Sequence, residues 1–157
     1  MSSILRENSL DATSMFYPGG TMDHITSRIQ HTKCRTRPDH IVLMAGDIEA
    51  ANGMNPEVVI SKFEQLLLET IRVYPWTHLV LVVLTETGNA RRRNIIQRLN
   101  ALMQHIASDE RLIMYTDNHN SSLKDGIHLT YRSKVSLGKR IATIIQKPHL
   151  DVLQKFR

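Results

Sequence analysis

An aspartate and a histidine separated by two residues form the spacing with the clearest chemical use in this sequence. They are Asp125 and His128, in the segment DGIHLT at positions 125–130. In such a pair the carboxylate can fix the tautomer of the imidazole. It can also stabilise the imidazolium that forms when the ring accepts a proton from a serine. The same spacing fits an aspartate that caps a turn beside an exposed histidine, and for the pair taken alone this second explanation is the better one.

Short apolar runs and amphipathic segments alternate along the chain, which is typical of an α/β fold with three layers and right-handed crossovers. The runs HIVLMA and THLVLVVL are almost continuously apolar, which indicates strands of a parallel sheet that is covered on both faces. The predicted strands are 12–17, 40–45, 77–84 and 112–115. The predicted helices are 22–33, 56–74, 90–108 and 130–145.

The position of the Asp125–His128 pair agrees with this fold. The pair lies in the loop after the last predicted strand and before the last predicted helix. In parallel α/β sheets, functional groups collect at the carboxyl ends of the strands. We therefore expect the imidazole at that edge of the sheet.

Bulk properties predict one domain, at residues 1–147, with a loosely ordered tail at 148–157. The chain has 157 residues, a net charge of +5 and one cysteine, which excludes an internal disulfide. No apolar run approaches the roughly 20 residues of a membrane helix, so we expect a soluble intracellular protein. The histidines lack the spacing of metal ligands, and we expect neither a metal nor a cofactor. The oligomeric state stays open.

Several segments, in order, resemble the SGNH or GDSL hydrolase superfamily. DGIHLT resembles the motif D-x-x-H-L-[TN] that leads into the family's final helix. YPGGT (17–21) resembles the glycine-bearing loop after the second strand, and IVLMAGD (41–47) resembles the third strand running into a G-x-N-D loop. The resemblance implies a flavodoxin-like α/β/α sheet with His128 as general base and Asp125 as its orienting carboxylate.

Two departures from the family pattern bear on activity. The family's nucleophilic serine lies in a G-D-S turn after the first strand, and MSSIL (1–5) resembles the segment on the C-terminal side of that turn. We therefore expect a truncated domain whose first strand and serine lie upstream of residue 1. Ser2 and Ser3 have no predicted strand and tight turn to aim them.

The second departure concerns the oxyanion hole. Gly20 or Gly19 matches the family's glycine donor, and Gly46 begins the loop that carries its asparagine donor. Here that loop reads GDIE (46–49), and isoleucine donates nothing at the asparagine position. Loss of one donor costs roughly 10²–10³ in turnover. The carboxylates of Asp47 and Glu49 would also oppose an anion, although Asn52 could substitute as a donor.

The sequence thus predicts an esterase-like domain that would hydrolyse a carboxylic ester if complete and is inactive, a pseudoenzyme, as it stands. The alternative is a noncatalytic SGNH-like module that binds RNA. The positive net charge and Arg91-Arg92-Arg93 at the start of a predicted helix fit that alternative. An exposed helix start without a ligand explains the three arginines better.

Overall fold

A computed structural model of the chain describes residues 2–7, 20–32, 34, 36–86, 88–109, 112–118 and 129–155. The helices are α1 (Ser2–Glu7), α2 (Met22–His31), α3 (Asp47–Ala51), α4 (Pro56–Val73), α5 (Ala90–Asp109) and α6 (Tyr131–Lys155). The strands are β1 (His40–Leu43), β2 (His78–Val82) and β3 (Ile113–Thr116). By internal contacts, residues 17–120 form one compact unit, and residues 1–16 with 121–157 form another.

The three described strands form a parallel sheet in the order β1-β2-β3. His40 of β1 is in register with His78 of β2, and Leu79 of β2 is in register with Ile113 of β3. The middle strand is buried from Leu79 to Val82, residues that alternate between the two faces of the sheet. Both faces of β2 are therefore covered, and the predicted parallel α/β fold is confirmed.

Two helices of residues 17–120, α2 and α4, begin where the sequence supplies side-chain caps. Thr21 forms a capping box with His24 at the start of α2. At the start of α4, the Asn55 side chain accepts a hydrogen bond from the Glu57 amide, and Pro56 occupies the first helical position. Both helices start at the predicted residues because these caps are local and readable in the sequence.

The hydrophobic core of residues 17–120 joins α2, α4 and α5 to the sheet. Its largest fully buried side chains include Met22 of α2, Phe63 and Leu66 of α4, and Leu99 of α5. α2 packs on α4, and α5 contacts both α4 and β3. This core supports the loops that leave the carboxyl ends of β1 and β2.

In the other unit, α1 packs on α6. The hydroxyl of Thr130 accepts a hydrogen bond from the Ser133 amide at 3.2 Å and so caps the start of α6. The structure continues α6 to Lys155, past the end predicted near residue 145. The division into a domain at 1–147 and a tail at 148–157 stays a prediction.

Two helices of the structure were not predicted. The sequence predicts a loop containing Gly46, Asn52 and Gly53 between the strand at 40–45 and the helix at 56–74. This prediction was wrong over α3, which has five residues and lacks the apolar repeat of a longer amphipathic helix. The six-residue α1 is equally short and contains Ser2 and Ser3. The strand predicted at 12–17 lies outside the described residues.

Candidate functional site at the carboxyl end of the sheet

The two residues predicted to carry the acid-base chemistry, Asp125 and His128, lie outside the described residues, as does Gly19. Their roles stay predictions. The described remainder of the DGIHLT segment is Leu129, which is buried, and Thr130, which caps α6. The segment therefore leads directly into the last helix, as the sequence predicts.

Gly46 lies three residues beyond the end of β1, at the carboxyl end of the sheet, and is the N-cap of α3. Its φ of +111° is one that side chains rarely allow. A Cβ placed there would lie 2.8 Å from Leu99 Cδ1 and 3.3 Å from Leu84 Cδ1. Glycine is required here both by the backbone conformation and by the core side chains against the turn.

Gly20 lies two residues before α2, and the first residue of α2 is connected to α3 by a side-chain hydrogen bond. The backbone N–H of Met22 donates a hydrogen bond of 2.6 Å to Glu49 Oε1, and Glu49 belongs to α3. The structure thus joins the loop of Gly20 to the helix that Gly46 begins. Gly20 and Gly46 are two of the three glycines predicted as oxyanion donors.

Glu49 has a role that sequence reasoning missed. The sequence places it only as a negative charge near the oxyanion loop, but the side chain is buried, with 1% of its surface exposed. Its second oxygen, Oε2, has no hydrogen-bond partner among the described residues. No local sequence signal indicates this burial, because it depends on tertiary contacts, among them the hydrogen bond between Glu49 and the start of α2.

Asn52, the predicted substitute donor, lies at the other end of α3 from Gly46. It is the C-cap residue, its backbone N–H bonds to the Ile48 carbonyl, and its side chain is exposed. Ile48, which stands where the family pattern has asparagine, is half-buried. That Asn52 donates to an oxyanion stays a prediction, which would require the side chain to reach back along the helix.

The prediction that Arg91, Arg92 and Arg93 together form an exposed helix start was wrong for the middle residue. Arg92 is buried, and its guanidinium lies 3.9 Å from Asp47 Oδ1. A Cβ at Gly88 would meet Arg92 Cδ at 2.8 Å, so the arginine stem packs across the loop between β2 and α5. Arg91 and Arg93 are exposed. The buried guanidinium thus lies beside the first residue of α3.

Side-chain hydrogen bonds also fix the loops after β2 and β3. The Asn100 side-chain amide donates to the Leu84 carbonyl and its Oδ1 accepts from the Leu84 N–H, both at 2.8 Å. The Thr85 hydroxyl donates to the Asn118 carbonyl at 3.0 Å. These groups are buried. The carboxyl end of the sheet is therefore held by polar contacts as well as by apolar packing.

The described residues contain no group of three His, Cys, Asp or Glu side chains that could hold a metal ion. In the same part of the chain, every helix is too short or too polar to span a lipid bilayer.

Solved structures resemble this arrangement, although no protein-family model and no curated protein matches the sequence. An acetyl esterase mutant with an acetate ion aligns over 85% of this chain and 70% of its own, with a TM-score of 0.64 and 15% identity. A carbohydrate esterase of family 3 from Talaromyces cellulolyticus aligns over 87% and 70%, with a TM-score of 0.60 and 14% identity. The chain has an SGNH-like fold.

A third structure with the SGNH-like fold is a Streptococcus pneumonia protein assigned as a platelet activating factor. It aligns over 95% of this chain and 90% of its own, with a TM-score of 0.58 and 15% identity. These likenesses confirm the fold that the motifs at 17–21, 41–47 and 125–130 predicted. At identities of 14–15%, the three structures support the backbone fold alone.

Proposed function

We propose that this chain is an SGNH-type esterase-like domain in which Asp125 and His128 form the acid-base part of a Ser-His-Asp apparatus. The observation that carries the proposal is the SGNH-like fold together with a D-x-x-H-L-T segment that enters α6 directly. The substrate class is a carboxylic ester. The acetyl and carbohydrate esterases of similar fold make acetate the natural first probe.

The proposed chemistry assigns one step to each residue. His128 takes the proton from a serine hydroxyl, and Asp125 accepts a hydrogen bond from His128 Nδ1, which leaves Nε2 free to act as the base. Backbone N–H groups of Gly20, Gly19 and Gly46 are the proposed donors to the oxyanion, with Asn52 as the side-chain candidate. The 157 residues contain no G-D-S segment. In this proposal the nucleophilic serine belongs to a segment upstream of residue 1.

We therefore expect this 157-residue chain to hydrolyse esters poorly. The measurement is hydrolysis of short-chain nitrophenyl esters by the 157-residue protein, with His128→Ala as the matched variant. We expect the same low rate for both. Robust turnover that disappears in His128→Ala would contradict the proposed inactivity and place a nucleophile within the chain.

The acid-base pair can be tested without turnover. Nitrogen-15 NMR of neutral His128 should place the proton on Nδ1, because the Asp125 carboxylate accepts it there. In Asp125→Asn we expect that tautomer preference to be lost. A proton on Nε2 in both proteins would remove the proposed pair.

Acetate titration tests the proposed donors. We expect the amide resonances of Gly20 and Gly46 to shift together as acetate binds, with Asp39 at the other end of β1 as an unaffected reference. If none of the proposed donors responds to acetate, the oxyanion assignment fails.

RNA binding has weaker support than the esterase-like function, because the buried Arg92 leaves only Arg91 and Arg93 of the triplet exposed. Filter binding across a salt series would detect it, since phosphate contacts give an affinity that falls steeply with salt. The proposed intracellular location would be checked by cell fractionation.

A further inference from the structure

We propose that Glu49 is a positioning residue. It holds the Gly20-Thr21 segment before α2 (the Gly20 loop) beside Gly46 at the start of α3 (the Gly46 turn). Its carboxylate is the described hydrogen-bond link between the start of α2 and α3. Each bonded residue follows a candidate oxyanion donor in the sequence: Met22 lies two residues after Gly20, and Glu49 lies three residues after Gly46. This inference rests on the proposed function, since it assigns a purpose to the spacing of those two glycines.

The first support is the geometry at the start of α2. The first N–H groups of a helix have no partner inside the helix. Thr21 caps the amide of His24, whereas the amide of Met22 is bonded by Glu49 Oε1 at 2.6 Å. A carboxylate is also favoured there by the positive end of the helix dipole. The contact thus fixes the residue just after the Gly20-Thr21 segment.

The second support is the incomplete hydrogen bonding of the same carboxylate. Glu49 has 1% of its surface exposed, and Oε2 has no hydrogen-bond partner within the described residues. A buried charged group with one oxygen unsatisfied destabilises the fold relative to a neutral side chain of the same size. The burial of a carboxylate at this position is therefore better explained by the position that its hydrogen bond imposes on Met22 than by a gain in stability from the charge.

The third support is that α3 is itself held in place. The Gly46 turn lies against Leu99 and Leu84 of the core, and Asp47 lies 3.9 Å from the buried guanidinium of Arg92. Because α3 is fixed in this way, the hydrogen bond that Glu49 accepts from Met22 restrains the start of α2. Loss of the Glu49 carboxylate should therefore release the Gly20 loop and leave the Gly46 turn unchanged.

Two substitutions distinguish the effect of the Glu49 hydrogen bond from the effect of its negative charge. Glu49→Gln keeps an oxygen that can accept from Met22 and removes the charge, whereas Glu49→Met keeps the volume and removes both. Both side chains fit the volume of Glu49, so both proteins should fold. Glu49→Gln keeps an acceptor for the Met22 N–H and should have thermal stability equal to or above the wild type, whereas Glu49→Met leaves that N–H unpaired and should be less stable. Glu64→Gln, an exposed position on α4, is the matched control.

Amide hydrogen exchange at Met22 is the direct readout. We expect exchange at least roughly tenfold faster in Glu49→Met and within roughly threefold of the wild type in Glu49→Gln. Exchange at Met22 that is unchanged in Glu49→Met would overturn the inference.

Acetate affinity tests whether the position matters for the site. If Glu49 acts through the Gly20 loop, Glu49→Gln should bind acetate as tightly as the wild type or more tightly, because it loses only a repelling charge. Glu49→Met should bind roughly tenfold more weakly, because the loop is released. Equal or tighter binding in Glu49→Met would show that Glu49 acts only as a charge, and would also overturn the inference.

The two proposals fail in different ways. If the wild type does not bind acetate but Met22 loses protection only in Glu49→Met, the oxyanion assignment fails and the restraint on the loop is supported. If the wild type binds acetate and Glu49→Met binds equally, the oxyanion assignment is supported and the role of Glu49 is rejected.

Discussion

The two ends of the sheet within residues 17–120 are built from different chemistry. The carboxyl end carries two buried charged residues, Glu49 and Arg92, and two glycines with positive φ, Gly46 and Gly88. At the amino end, the rings of His40 and His78 stack with centroids 5.2 Å apart, and the Thr77 hydroxyl donates to the Pro38 carbonyl at 2.7 Å.

The contrast shows which end of the sheet bears features that reduce stability. Buried charges and backbone conformations that only glycine adopts easily each have an energetic cost. Such features concentrate at functional sites, where the surrounding fold must offset them. At the amino end, the ring stack and the Thr77 hydrogen bond involve no carboxylate, no guanidinium and no left-handed backbone.

The largest effect should come from the residue that anchors the carboxyl end. Asn100→Ala leaves both the N–H and the carbonyl of Leu84 buried without their partner, and we expect the free energy of unfolding to fall by about 3 kcal/mol. Urea denaturation measures it. Asn94→Ala, exposed on the same helix, should change stability by less than about 0.5 kcal/mol. A small loss in Asn100→Ala would mean that this end does not depend on polar anchoring.

A smaller effect is expected from adding a Cβ to the Gly46 turn. Gly46→Ala combines a φ of +111° with a contact of 2.8 Å to Leu99, and should lower the free energy of unfolding by about 2 kcal/mol. Gly53→Ala has a φ of +62°, and the three atoms nearest to its added Cβ belong to the flexible Arg91 side chain, so it should cost about 1 kcal/mol. Equal losses in thermal denaturation would indicate that backbone conformation alone restricts both sites.

At the amino end, Thr77→Val removes one neutral hydrogen bond and keeps the side-chain volume. We expect a loss of about 1 kcal/mol, because the Pro38 carbonyl loses its donor. Thr143→Val, on the exposed face of α6, is the control. A loss in Thr77→Val as large as that in Asn100→Ala would remove the contrast between the two ends.

The smallest effect is a change in the titration of Tyr74. The hydrogen bond with Cys34 and then burial raise the pKa of Tyr74 to about 12, from an ordinary value of 10.0. The folded state thus favours the protonated phenol, so stability should be fully present below pH 10 and fall as the pH rises towards 12. In Cys34→Ala the pKa should move down, as measured by ultraviolet absorbance of the phenolate. An unchanged titration midpoint would show that burial alone sets this pKa.

The local sequence was sufficient to predict the elements with strong signals. The apolar runs at 40–45 and 77–84 predicted β1 and β2 because a strand covered on both faces needs apolar side chains at every position. Asn55 and Pro56 predicted the start of α4 to the residue. The D-x-x-H-L-T segment predicted a helix directly after it, and α6 begins there.

What could not be predicted depends on contacts between distant segments. Glu49 bonds to Met22 across 27 positions of the chain, and neither residue marks the other in the sequence. Arg92 looked like part of an exposed basic run, but the fold turns its guanidinium towards Asp47. Charged residues are usually exposed, so sequence reasoning places them at the surface unless the tertiary structure is known.

The close packing of Gly46 against Leu99 has a consequence for how this protein can change. A wider side chain at position 99 would push the turn that begins α3, and a narrower one would let it settle inward. Substitutions in the apolar interior would therefore alter the geometry of the carboxyl edge without touching any polar group there. A substitution at position 99 that changes stability should therefore also change where α3 begins relative to the sheet.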